Sequence, residues 1–285
     1  MNRTNGRGWC LIPLLFLVAA PTLAGAADRV PLTFVEHGCR VPAADRNEIQ
    51  GVVDFERSFY DVALGSVDDD HLTIHVFGRF EDYRSYLQAL DRKYKIAAGA
   101  YSVSNPGRFY SGAGLREAVI LQDGAYRATI CHEVSHYLLS NRLPQPPMWL
   151  NEGLAVYFGQ ARMAGGRLIV HDARCPGCGR LHGWESLNAW LDQDALVTLP
   201  FLLDLDRRGW LLARGRACEL YTHAWSLIHY FMNSRAGIQR LVEIMRDLEA
   251  GATSRAAVEQ TYPGGVRRLE ADWHAYIRAA LDRPE

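Results

Sequence analysis

The segment His132-Glu133-Val134-Ser135-His136 constrains this 285-residue chain more than any other feature. It lies in a stretch, Tyr126 to Ser140, where Ile130, Val134 and Leu138 recur at helical spacing. Two histidines four residues apart span just over one helical turn, so both imidazoles leave the same face. Two nitrogens held that way can grip one Zn²⁺ at about 2.0–2.1 Å. Glu133 is one residue on, about 100° around the helix. It is placed to take a proton from a water that the ion acidifies without itself being a ligand.

A catalytic zinc takes three protein ligands and keeps a fourth position for water. The stretch Met148-Trp149-Leu150-Asn151-Glu152-Gly153-Leu154-Ala155 supplies the third. Glu152 follows His136 across the proline-rich loop Leu143 to Pro147, and two antiparallel helices joined there bring it back beside the histidines. The plainer reading of Glu152 is an acid in the first turn of a helix, where it favours the helix dipole.

Residues 1–26 read as a secretory signal peptide. Arg3 and Arg7 make a positive start, Trp9 to Ala20 is a short apolar run, and Ala24-Gly25-Ala26 offers a cleavage site. A span needs about 20 apolar residues, so this run is too short for an anchor. The expectation is export, periplasmic or secreted, with no integral membrane segment in the mature chain. A formal net charge of −1 argues against nucleic acid as a partner. With 48% hydrophobic and 22% charged residues the chain is long enough to bury a sizeable core.

Periodicity predicts strands at Leu32–Glu36, His71–Phe77, Arg116–Gln122 and Arg167–Val170, with strand pieces in 99–114. It predicts helices over 43–64, 81–94, 126–140, from about Asn151 to Met163, and over 184–192, 217–233, 235–248, 253–260 and 264–282. Asp68-Asp69-Asp70 reads as a solvated turn. The expected class is α+β: a small sheet precedes the His132–His136 helix, and a mostly helical part follows. A soft boundary near residue 115 separates an α/β portion of unassigned role, 27–114, from a zinc-site domain, 115–285.

His132 to His136 followed by Trp149-Leu150-Asn151-Glu152-Gly153 resembles the gluzincin metallopeptidases, whose relatives include thermolysin and aminopeptidase N. The resemblance is nearer to the small bacterial peptidase MA-like domains and covers roughly residues 115–283. It implies a zincin-like fold and hydrolysis of peptide bonds in a peptide or protein substrate. His132, His136 and Glu152 would be the zinc ligands and Glu133 the general base. It also implies that Tyr221, in Tyr221-Thr222-His223-Ala224-Trp225, stabilises an oxyanion, although Tyr221 and Trp225 at i, i+4 also suit a core face. The pattern departs from thermolysin at Val156, where that enzyme has an aspartate orienting a histidine. The acidic motif with which aminopeptidase N grips a free amine has no counterpart. The competing class is a non-catalytic zinc-binding or scaffold protein with the same ligand shell, in which Glu133 would have no task.

A second cluster, His171, Cys175, Cys178 and His182, could hold a structural zinc, but a local Cys175–Cys178 disulfide is the favoured reading in an exported loop. Cys131 reads as buried packing. Cys39 and Cys218 could pair. Oligomeric state is not legible.

Overall fold

The computed structural model describes residues 29–69, 71–95, 106–112, 115–170, 183–213 and 216–280. The signal-peptide segment and the cluster His171, Cys175, Cys178, His182 lie outside the described residues. The architecture is α+β, mostly helical with one small mixed sheet.

The chain begins with β1 (Leu32–His37), α1 (Ala43–Leu64), β2 (Leu72–Phe77) and α2 (Phe80–Lys93). Then come β3 (Gly107–Gly112) and β4 (Leu115–Leu121), and the sheet order is β1-β2-β4-β3. The first two pairings are parallel, and β3 closes one edge antiparallel to β4. The boundary near residue 115 therefore falls between two hydrogen-bonded strands of one sheet. Alternation along β2 sends Leu72, Ile74 and Val76 into the main core, while Phe77 faces a smaller cluster with Tyr83, Leu87 and Leu90 of α2.

On the main-core face lies α3 (Tyr126–Arg142), which carries the His132–His136 segment, followed after a short loop by α4 (Met148–Gly159). The helix expected from Asn151 to Met163 starts three residues earlier, at Met148, and stops at Gly159. Pro147 serves as the entry residue in an extended conformation. Residues 161–164 form β5 (Ala161–Ala164), which pairs antiparallel with β6 (Arg167–Val170). Gly165 and Gly166, at φ +57° and +74°, make the turn between them.

The remainder is helical: α5 (Trp184–Asp192), α6 (Leu199–Asp204), α7 (Arg207–Leu212), α8 (Ala217–Met232), α9 (Arg235–Glu249), α10 (Ser254–Thr261) and α11 (Gly265–Ala280). The short helices α6 and α7 are additional to the expected ones. Both have a capping signal: Thr198 accepts from the Phe201 N–H, and Asp206 from the Gly209 N–H at 2.6 Å. Among the described helices none is long and apolar enough to cross a membrane.

α3 is fixed from behind by charge. The buried Arg142 guanidinium donates to Asp69 (2.8 and 3.2 Å) and to Asp61 of α1 (2.5 Å). Arg57 also reaches Asp69, at 3.3 Å. The Asp68–Asp70 turn is therefore not simply solvated: Asp69 is 6% exposed and is the anion that neutralises a buried arginine. Cys131 is buried, as expected, and Cys39 and Cys218 do not pair with each other.

Glu56 of α1 faces the same helix. Its carboxyl lies beside the Tyr60 and Ser135 hydroxyls, which bond to each other at 3.1 Å, and neither carboxyl oxygen completes a hydrogen bond. Burial pushes this group up to about 8. A carboxyl raised in the folded state contributes its full share of stability below its unfolded value, 4.5, and that share is lost as pH rises toward 8. Glu56→Gln keeps the shape without the ionisation. Thermal melts should give nearly equal midpoints for the two proteins at pH 5 and a variant more stable by roughly 5 °C at pH 8. A pH-independent difference would contradict this placement.

Candidate metal centre

Three ligand atoms converge between α3 and α4. The Nε2 atoms of His132 and His136 are 3.2 Å apart, and Glu152 Oε2 is 3.6 Å from the first and 3.7 Å from the second. A tetrahedral ion with bonds of about 2.0–2.1 Å separates its ligand atoms by about 3.4 Å. The spacing thus fits one Zn²⁺-sized ion. Glu152 Oε2 is also buried with no hydrogen-bond partner, the condition of a ligand atom awaiting a cation. These three residues form a group that could hold a metal ion.

The other ring nitrogens set the direction of these lone pairs. His136 Nδ1 lies 3.1 Å from Asn151 Oδ1, an acceptor, so the proton sits on Nδ1 and Nε2 keeps its lone pair. The His132 ring is hydrogen-bonded to the backbone of Ala155. Burial pushes His132 well below its usual range and so favours the neutral ligand form. α4 therefore supplies the carboxylate from residue 152 and orients both histidines from residues 151 and 155. The resemblance implies that Asn151 helps order the turn; in the structure its side chain meets the His136 ring.

Glycines permit the fit. A Cβ on Gly159 would stand 3.3 Å from His132 Cβ and 3.0 Å from Ala128 O, and one on Gly153 would meet Ala224 O at 2.7 Å. α4 can lie this close to α3 and α8 only without those side chains.

Glu133 is on the same buried wall but is not one of the three converging residues. Burial raises its carboxyl to about 7, with Glu152 adding to the rise and His136, the Phe109 N–H and Arg108 opposing it. The edge strand β3 comes close because Gly107 has no side chain; a Cβ there would be 3.0 Å from Glu133 Oε1. Burial likewise raises Glu152, opposed by His136, by Arg207 and by a hydrogen bond from Tyr221.

Tyr221 is thus beside Glu152, and the Trp210 ring packs edge-on against it at 5.5 Å. His223 points elsewhere. It is buried, its Nδ1 is 2.6 Å from Glu219 O, and its Nε2 accepts from the Val197 N–H. Both nitrogens are used by the fold. Sequence reasoning did not single out Arg207, whose helix was itself too short to stand out.

Residues 126–252 match the model of a family described as a protein of unknown function (DUF1570). The matched span runs from the start of α3 to just beyond α9 and so contains every residue of the centre. No curated protein matches the chain.

The wild-type protein should bind about one Zn²⁺ at this centre, and His136→Ala should abolish that binding. Asn151→Ala should weaken it roughly 10–100-fold while leaving the fold intact. Metal analysis and competition with a chelator check both. Unchanged zinc affinity in both variants would exclude this centre.

Proposed function

We propose that the chain is an exported zinc-dependent metallopeptidase of the gluzincin type, with a zincin-like catalytic domain. The observation that carries the reading is the triangle of His132, His136 and Glu152, with a fourth residue, the buried acid Glu133, beside it and outside the ligand set. A protein that only stores or displays zinc needs the triangle. It has no need of a further carboxyl beside the triangle and outside the ligand set.

When bound, zinc supplies a Lewis acid that polarises the scissile carbonyl and makes water a nucleophile near neutral pH. The remaining work falls to side chains. Asn151 and the Ala155 backbone hold the two imidazoles in their ligand tautomers. Glu133, held near 7, takes the proton of the attacking water and returns it to the leaving amine nitrogen. A value close to the working pH suits a group that must do both. The hydroxyl of Tyr221 donates to Glu152 and would turn from that carboxylate to donate to the oxyanion. The substrate is a peptide or protein outside the cytoplasm, reached after removal of residues 1–26.

Glu133→Gln tests this role. The amide keeps size and polarity but cannot accept the proton. Cleavage of a mixed peptide library by the variant should fall by roughly 10²–10⁴-fold at equal zinc occupancy. Equal cleavage by both proteins would remove Glu133 from the chemistry. Cleavage by neither, across broad substrates, would leave a non-catalytic zinc protein.

A further inference from the structure

We propose that His37, His75, Tyr86 and Glu117 form an acid-released latch that clasps α2 to the sheet and, through α2, holds the edge strand β3 beside Glu133. His75 alternates with Ile74 and Val76, which face the main core, so it points to the α2 side of the sheet, away from the metal centre. The latch does not rest on the peptidase reading. It governs how firmly one wall of the centre is held, whatever the centre does.

The four side chains make one hydrogen-bonded chain whose proton positions follow from its end. The Tyr86 hydroxyl donates to Glu117 Oε2 at 3.1 Å. Its one proton is then committed, so the 3.2 Å contact with His75 Nε2 requires that nitrogen to donate. His75 Nδ1 is therefore an acceptor, and His37 Nε2, 3.0 Å away, donates to it. His37 Nδ1 keeps a lone pair and makes no hydrogen bond among the described residues. A first proton enters there with every bond kept, and the imidazolium lies flat on the Phe77 ring, 4.1 Å between centroids. A second proton has only His75 Nδ1 to go to. It turns the acceptor of the His37–His75 bond into a donor and sets two positive rings against each other.

Burial works in the same direction. It lowers His75 from its ordinary 6.5, with Glu117 opposing the fall and His37 adding to it. A histidine lowered in the folded state leaves stability complete above 6.5, and its share is lost as pH falls below 6.5 toward the folded value. The other charges on this side are committed elsewhere. The Lys93 ammonium lies over the Tyr94 ring at 5.0 Å, and Asp91 accepts from Arg108 at 2.8 and 3.0 Å and from Tyr110 at 3.0 Å. Apart from these bonds, α2 is seated by a small apolar cluster separate from the main core, in which Tyr83, Leu87 and Leu90 meet Phe77, Tyr110 and Val119. Arg108 and Tyr110 belong to β3, so the Asp91 bonds tie that strand to α2. β3 passes against Glu133 at Gly107, and release of α2 therefore loosens the strand that walls the centre.

Hydrogen exchange of the purified protein, with zinc in excess and rates corrected for intrinsic exchange, tests the latch at pH 8 and pH 5. Protection of α2 and β3 should fall roughly tenfold or more at pH 5, measured against α9 in the same protein. His75→Gln keeps a donor for Tyr86 and an acceptor for His37 but cannot take the proton, so α2 should stay protected at pH 5. Equal protection of wild-type α2 at the two pH values, equal losses in α2 and α9, or the same loss in His75→Gln would overturn the proposal. A second measurement needs no variant. Nitrogen NMR of the imidazoles at pH 8 should find His37 and His75 both protonated on Nε2, and either ring protonated on Nδ1 instead would overturn it as well.

Discussion

The centre depends on how closely α4 can approach the helices on either side of it. Gly159 lets it lie against Ala128 and His132 of α3, and Gly153 lets it lie against Ala224 of α8. At that distance the two helices run antiparallel in register. One turn forward on α3, from His132 to His136, matches one turn back on α4, from Ala155 to Asn151. Glu152 falls between. A side chain at either glycine would push α4 outward, and the ligand triangle, both imidazole tautomers and the Tyr221 contact would loosen together.

The surroundings hold α3 still while that contact is made. Arg142 ties its C-terminal turn to Asp61 and Asp69, so the helix is fixed to α1 and to the loop before β2. From the other side β3 comes close enough for the Phe109 N–H to meet Glu133, an approach that Gly107 permits. Burial raises both carboxyls, but their partners differ. Glu152 aims an unpartnered oxygen at the histidines and waits for a cation, whereas Glu133 has a backbone donor and sits near neutrality. Under the proposed function, it is this packing that separates a ligand from a base.

Much of this was legible beforehand. The period of 3.6 gives α1, α3 and α9 nearly to the residue, and the spacing from His136 to Glu152 across three prolines is enough to bring the three candidate ligands together. What the sequence hid has physical reasons. Ala161-Arg162-Met163-Ala164 has helical propensity, but pairing with β6 across the Gly165-Gly166 turn overrides it. The helices α6 and α7 are six residues each, too short to show a period, and only their caps at Thr198 and Asp206 announce them. Asp69 looks like one of three solvated acids until the fold brings Arg142 to it, a partner 73 residues away. The orientation of His136 by Asn151 is likewise a long-range contact that no local rule supplies.

The central claim is that one ion is held by two imidazoles and a carboxylate at the junction of α3 and α4. X-ray absorption at the zinc edge of the purified, zinc-loaded protein tests it most directly. The account predicts nitrogen and oxygen neighbours at about 2.0–2.1 Å with outer-shell scattering from two imidazoles, and no sulfur. A shell of sulfur at about 2.3 Å would contradict it, because the metal would then be held by cysteines and not by His132, His136 and Glu152.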